Sequence, residues 1–291
     1  MTQQELVDIQ LTIAAPVETV FRALTDADEL RQWFTEHAEV SLPKKRYRFW
    51  GRYIPEAPSD TADLQTLLAV ETNHHLSYQW GLHNRETIVT IRLEKAQSGT
   101  KLRLQHQNVR PPQPYNYTMG DFWSLTLENL RSWVERGSIG ARCDFSNIQQ
   151  GPEVRFELDI DAPRDAVFNA LINPEELNRY IADEATVAPQ VGGVYDYGWE
   201  NGGPVKILEL VPDEKLSFDW EYAQEPKTVV SWSLEGSGGK THLTLVHSGF
   251  GPSRLNADYQ AGWSRYLNHL KFMLESGSSW QPPEFLANDY A

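Results

Sequence analysis

With one cysteine in 291 residues, Cys143, the chain has no pair for a disulfide and no set for a Cys-rich zinc site. It contains no run of eighteen apolar residues, so no membrane span is expected. The opening MTQQELVDIQ has no basic stretch followed by an apolar one, so a secretory signal is not expected either. A cytoplasmic protein is the expectation. Basic charge is also scarce: 26 Lys and Arg stand against 40 Asp and Glu, a net charge of −14. Residues 1–147 are nearly balanced, with 16 basic and 18 acidic groups, whereas residues 148–291 hold 10 against 22. Counterion release on nucleic acid needs a basic footprint, so no nucleic-acid partner is expected. GxGxxG, P-loop, GxSxG and HExxH motifs are absent. His74-His75 lacks the i, i+4 spacing and the neighbouring cysteines of a zinc site, so neither metal nor cofactor is expected.

What the chain does have is aromatic residues, including ten Trp, and an internal echo. IAAPVETVFRAL at 13–24 returns as IDAPRDAVFNAL at 160–171. Leu76-Ser77-Tyr78-Gln79-Trp80 is answered by Leu216-Ser217-Phe218-Asp219-Trp220, and Thr87-Ile88-Val89 by Thr228-Val229-Val230. Leu102-Arg103-Leu104-Gln105-His106 is answered by Leu243-Thr244-Leu245-Val246-His247. Trp123, Leu127, Leu130, Glu135 and Gly137 match Trp263, Leu267, Leu270, Glu275 and Gly277. Only loop lengths differ between the copies, so one domain has been doubled. A repeat this long is not a solenoid unit. The expected boundaries are a first copy over 1–137, a linker over 138–152, a second copy over 153–277 and a tail over 278–291.

Each copy opens on a strand, since Val7, Ile9, Leu11 and Ile13 alternate with polar residues, as do Val154, Phe156, Leu158 and Ile160. Pro16 and Pro163 then stand where a helix begins. Asn173-Pro174-Glu175-Glu176 offers a cap, a first-turn proline and acidic residues for a second short helix. Alternating strands follow, with Gly238-Gly239 at the last hairpin of the second copy. A longer amphipathic helix closes each copy, with Trp263, Tyr266, Leu267, Leu270 and Leu274 sharing one face in the second. The expected fold class is α+β, with helices on one side of an antiparallel sheet.

This order of elements, with APxxxVFxAL after the first strand and a Trp-Leu-Leu-Glu-Gly series on the last helix, resembles the SRPBCC (START-like, helix-grip) superfamily. Within it the chain is similar to the branch related to the C-terminal domain of the activator of heat-shock chaperone ATPase. The second copy fits better, through Gly192-Gly193 and Gly262-Trp263. The first has Lys44-Lys45-Arg46 and Asp121-Phe122-Trp123 at those places. The resemblance implies a curved sheet gripping the C-terminal helix, with a cavity between them for an apolar ligand. It also implies a heat-shock chaperone as a possible partner.

The inward positions define a candidate cavity in each copy. In the second these are Tyr195, Tyr197, Phe218, Trp220, Trp232, His247, Trp263, Tyr266 and Leu270. In the first they are Tyr78, Trp80, His106, Trp123, Leu127 and Leu130. Such residues form either the wall of a ligand site or an ordinary core. Parity places both histidines inward, as cavity-mouth groups or as strand-end residues bonded to backbone. Lys44, Lys45, Arg46 and Arg48 form the one basic run, read as a solvated strand edge or as a contact to acidic surface or an anion.

Three functions remain open. The first is non-catalytic binding of a hydrophobic or aromatic small molecule. The second is a co-chaperone or protein-interaction module. The third is a cyclase-like or hydrolytic enzyme that uses His106 or His247.

Overall fold

The computed structural model describes residues 6–57, 59, 64–223 and 225–287. They fall into two compact units, one of residues 1–148, 260–265 and 283–291, the other of 149–259 and 266–282.

The first copy runs β1 (Leu6–Ile13), α1 (Val17–Thr25), α2 (Ala27–Trp33), β2 (His37–Ser41), β3 (Arg46–Trp50), β4 (Gln65–Glu71), β5 (His75–Leu82), β6 (Arg85–Ala96), β7 (Gly99–Gln107) and α3 (Met119–Arg136). The second repeats it as β8 (Glu153–Ile160), α4 (Arg164–Ile172), α5 (Pro174–Tyr180), β9 (Thr186–Val187), β10 (Val194–Asp196), β11 (Val205–Val211), β12 (Lys215–Trp220), β13 (Thr228–Glu235), β14 (Thr241–Ser248) and α6 (Ala257–Ser276). A last strand, β15 (Glu284–Ala287), follows. Both sheets are antiparallel, in the orders β15-β1-β7-β6-β5-β4 and β8-β14-β13-β12-β11-β10-β9. This is the expected α+β, tandem helix-grip architecture.

The repeated residues are the ones that close each copy locally. Tyr47 donates to the Leu24 carbonyl at 2.9 Å, and Tyr195 to that of Leu171 at 2.8 Å, each pinning a strand beneath the first helix. Thr100 and Thr241 hydroxyls each donate at 2.7 Å to the alanine carbonyl before the helix-starting proline. The Glu135 carboxylate accepts from the Ala14 amide, as Glu275 does from that of Asp161, tying the long helix to the end of the first strand. Buried backbone groups must find partners, so these side chains are fixed by the fold.

Two features differ from the sequence reading. The long helices are not one-faced: α3 also buries Glu128, Asn129 and Ser132. The reason lies in residues 138–148, which pack on it. The Asn129 amide donates to the Ala141 carbonyl and its oxygen accepts from Gly140 N–H, while the Phe145 ring lies 4.8 Å from Tyr117 and 5.8 Å from Phe122. The stretch expected as a tail is partly ordered structure, since Trp280 is buried against His269 and β15 pairs antiparallel with β1. Residues 288–291 of that stretch lie outside the described ones. The two copies also differ from each other: β2 and β3 form a separate two-stranded sheet in the first, whereas β9 and β10 join the main sheet of the second.

Candidate functional site

In the first unit the predicted cavity positions meet as packed core. Tyr78, Trp80, His106, Trp123, Leu127 and Leu130 are all at or below 1 % exposure. The Trp80 and His106 rings stack at 5.6 Å, and Trp123 meets both edge-on. The Trp123 indole N–H donates to His106 Nδ1 at 3.0 Å. His106 Nε2 therefore carries the proton and donates to the Thr87 hydroxyl at 2.7 Å, which in turn donates to the Trp80 carbonyl at 2.8 Å. Both ring nitrogens are thus engaged, and burial pushes the imidazole pKa down to about 3. A neutral, doubly bonded imidazole has no lone pair left for proton abstraction. Its partners are side chains rather than the expected backbone. The Trp80 indole N–H finds no acceptor among the described residues.

Gln65 seals the outer end of that core. It accepts from the Phe49 amide at 3.3 Å and donates to the Phe49 carbonyl at 3.1 Å, both buried. Its side chain supplies the link between β3 and β4 that backbone pairing supplies elsewhere. Phe49 in turn packs edge-on against Tyr78 and Trp80.

The second unit keeps the aromatic set but not this seal. Val205 on β11 pairs directly with Tyr195 on β10, and the chain between them turns through Gly202-Gly203. Gly203 has φ +65°, and a Cβ there would meet Asp196 Oδ1 at 2.6 Å, so a side chain has neither room nor easy backbone at this lip. The result is a cleft lined by Tyr195, Asp196, Tyr197, Trp199, Gly202, Gly203, Val205, Phe218, Asp219, Trp220 and Glu221, with a volume of about 20 Å³. That is room for one water-sized group. Tyr195 stacks on Phe218 at 4.1 Å, Tyr197 on Trp199 at 4.8 Å, and Trp199 meets Trp220 edge-on at 5.7 Å.

Of the predicted second-copy residues, Tyr195, Tyr197, Phe218 and Trp220 line this cleft. Tyr266 stacks on the Trp199 ring at 5.8 Å. Trp232, Trp263 and Leu270 are buried without lining it. His247 lies under Phe250 and Tyr259, each ring 4.5 Å away, bonded through Nε2 to the Thr228 hydroxyl at 2.8 Å. Burial and the nearby Arg254 hold its pKa down at about 3. The Trp199 ring, expected to join Tyr195 and Tyr197 in the cavity wall, does so, whereas Asp196, Asp219 and Glu221 were not foreseen among the lining residues. Sequence reasoning also missed a closure above His247, where the Trp220 indole donates to Tyr259 Oη at 3.0 Å. There Arg254, over the Phe250 and Tyr259 rings, pairs with Glu225 at 3.0 Å and Asp258 at 2.8 Å. The signals were present in Tyr195-Asp196-Tyr197-Gly198-Trp199 and in the Gly202-Gly203-Pro204 turn.

The basic run lies on β3 and the turn before it. Tyr47 and Phe49 point inward, Arg46 pairs with Glu39 at 2.9 Å, and Arg48 lies 3.6 Å from the same carboxylate and over the Trp50 ring. Lys44 and Lys45 are exposed, and Lys45 takes the left-handed conformation that Gly192 takes in the second copy. Among the described residues no group of three or more His, Cys, Asp or Glu is placed to hold a metal ion.

A protein-family model, activator of Hsp90 ATPase homolog 1-like protein, matches the chain twice, over residues 14–135 and 161–275. The chain belongs to this family. Among solved structures, CalU16 from Micromonospora echinospora is 25 % identical, with 42 % of this chain and 75 % of that one covered and a TM-score of 0.37. The Aha1 dimer from Colwellia psychrerythraea is 23 % identical over 43 % of this chain and 98 % of that one, with a TM-score of 0.39. DynU16, from the dynemicin biosynthetic locus, is 18 % identical and covers both copies, 92 % of this chain and 98 % of that one, with a TM-score of 0.37. No curated protein matches.

Proposed function

We propose that this family member binds a small apolar or aromatic molecule without transforming it, and that the second domain is the binder while the first is a packed scaffold. The observation that carries this reading is the contrast at one position of the repeat. Gln65 plugs the first core, whereas Val205 and the Gly202-Gly203 turn leave an aromatic cleft in the second. The volume of the cleft bounds what enters it: one small head group, with the rest of the ligand resting on the half-exposed Trp199 ring. The neutral, buried histidines favour binding over acid–base chemistry. Native mass spectrometry and tryptophan fluorescence titration with small aromatic ligands test this. Binding that is lost in Trp199→Ala but kept in Tyr78→Phe supports it. Binding that follows the first domain, or no binding to any aromatic probe, overturns it.

Family membership favours a second reading, contact with a heat-shock chaperone. Pull-down with purified chaperone separates the two, since the cleft variant Trp199→Ala leaves a chaperone contact elsewhere on the surface unchanged. A cytoplasmic site belongs to either reading. No helix among the described residues is long and apolar enough to cross a membrane.

A further inference from the structure

A sheet edge is an unfinished ladder of N–H and C=O groups, blunted in most proteins by short strands, bulges, charge or a covering segment. Among the described residues the two main sheets have four edges. Those at β15 and β9 are short, with four residues and two. The one at β4 carries a bulge between Leu67 and Ala69. The fourth, β8, has neither device. Its eight residues contain no proline and pair with β14 in unbroken register.

In the first copy the matching edge is covered. β15 pairs with β1 through Asp8–Ala287, Ile9–Phe285 and Gln10–Glu284, and Gln10 Nε2 donates to Glu284 Oε2 at 2.6 Å. Asp8 and Ile9 are buried there, and Gln10 is half-buried. The repeat puts Arg155, Phe156 and Glu157 at the corresponding points of β8. Arg155 and Glu157 are exposed, and the inward Phe156 is half-exposed. At the far end the Asp159 carbonyl already accepts from Lys271 Nζ at 2.6 Å, which leaves residues 153–157 as the open stretch. Its outer side chains are Glu153, Arg155 and Glu157, the last two joined in an exposed pair at 3.0 Å. A strand like β15 would set Glu284 against Glu157 rather than Gln10, and like charges facing each other across strands are destabilising. A Lys or Arg there reverses the sign. The field agrees, because residues 148–291 hold 10 basic groups against 22 acidic ones.

We propose that the β8 edge docks an extended peptide of a partner protein, with an apolar residue opposite Phe156 and a Lys or Arg opposite Glu157. Backbone pairing supplies the affinity, and these two side chains set the register. None of the residues lining the aromatic cleft lies on β8, so this inference stands or falls independently of the small-molecule reading.

The test uses the full chain and two synthetic peptides: QPPEFLA, the sequence of residues 281–287, and the same peptide carrying Glu284→Lys. Fluorescence anisotropy of the labelled peptides reads affinity, and the backbone amide shifts of Arg155 and Glu157 read the place. The lysine peptide should bind about tenfold tighter than the native one, by a margin that shrinks as salt rises. Both amides should shift. Glu157→Lys, a change at an exposed side chain, should reverse the preference. Absence of binding, or equal binding of both peptides by the unaltered protein, overturns the inference. A preference that Glu157→Lys leaves unchanged places the peptide on another surface and also overturns it. A dimer of the full chain that Glu157→Lys tightens gives the edge to β15 of a second copy, and so overturns the assignment to a basic partner.

Discussion

The same fold is closed in two different ways. At the end of the core where the hairpin after the fifth strand faces the start of the long helix, the first domain uses a histidine–tyrosine contact beside a carboxylate. His83 Nε2 lies 3.1 Å from Tyr117 Oη, with Glu56 at 3.6 Å. The second domain uses charge at the corresponding place, with Arg254 held between Glu225 and Asp258 over two aromatic rings. At the opposite end the first domain inserts Gln65 and the second leaves a cleft. The lesson is that duplication preserved the residues that make each copy fold, and freed the two ends of the core to diverge. One copy spent that freedom on packing, the other on an accessible aromatic surface.

The comparison can be broken most forcibly with acid. His106 and His247 are both held neutral, with pKa values depressed to about 3. Unfolding restores a value near 6.5, so the unfolded chain binds more protons below that pH. The stability contributed by each histidine is present above about pH 6.5 and is lost as pH falls toward 3, at about 1.4 kcal/mol per pH unit. Urea melts between pH 7 and pH 4 should show both domains weakening together, and His106→Gln or His247→Gln should flatten the slope for its own domain.

A smaller but more selective effect is expected at these closures. Arg254→Met strands two partly buried carboxylates and should cost about 3 kcal/mol in the second domain. Tyr117→Phe removes one neutral hydrogen bond and should cost the first domain about 1 kcal/mol. Denaturation followed at several salt concentrations checks this, because the loss in Arg254→Met should vary with salt and the loss of the Tyr117 hydroxyl should not.

Exchanging the seal comes next. Gln65→Val gives the first copy the residue of the second and leaves the Phe49 amide and carbonyl buried without partners. A loss of about 2 kcal/mol is expected there. Val205→Ala, at the matching position, removes only methyl groups and should cost about 1 kcal/mol. Equal losses in the two melts would erase the distinction between plug and cleft. The least effect is expected on the basic strand: Arg46→Ala breaks an exposed pair with Glu39 and should shift stability by less than about 0.5 kcal/mol.

Much of the fold was legible because the signals are local. Pro16 and Pro163 start helices, Asn173 caps the next, and alternation set the inward faces of the strands, including both histidines. The partner of each histidine was legible in principle too, since Thr87 and Thr228 sit at equivalent points of the repeat. What alternation does not carry is whether inward aromatics fill their space. Trp80 and Trp220 occupy matching positions and read identically, yet one stacks in a sealed core and the other borders a cleft. The segment after the first domain read as linker because it has no period, although Cys143 and Phe145 on it are held by tertiary packing.

The sequence by itself determined that one α+β domain occurs twice, which residues face inward, and that the second copy is the acidic one. Periodicity, caps and charge are properties of neighbours along the chain, so they survive without coordinates. The tertiary structure decided where the core is left open. That depends on whether residues far apart in sequence, such as Asp196, Gly203 and Trp220, together fill a volume, and their side-chain sizes acquire meaning only once the sheet brings them to one place.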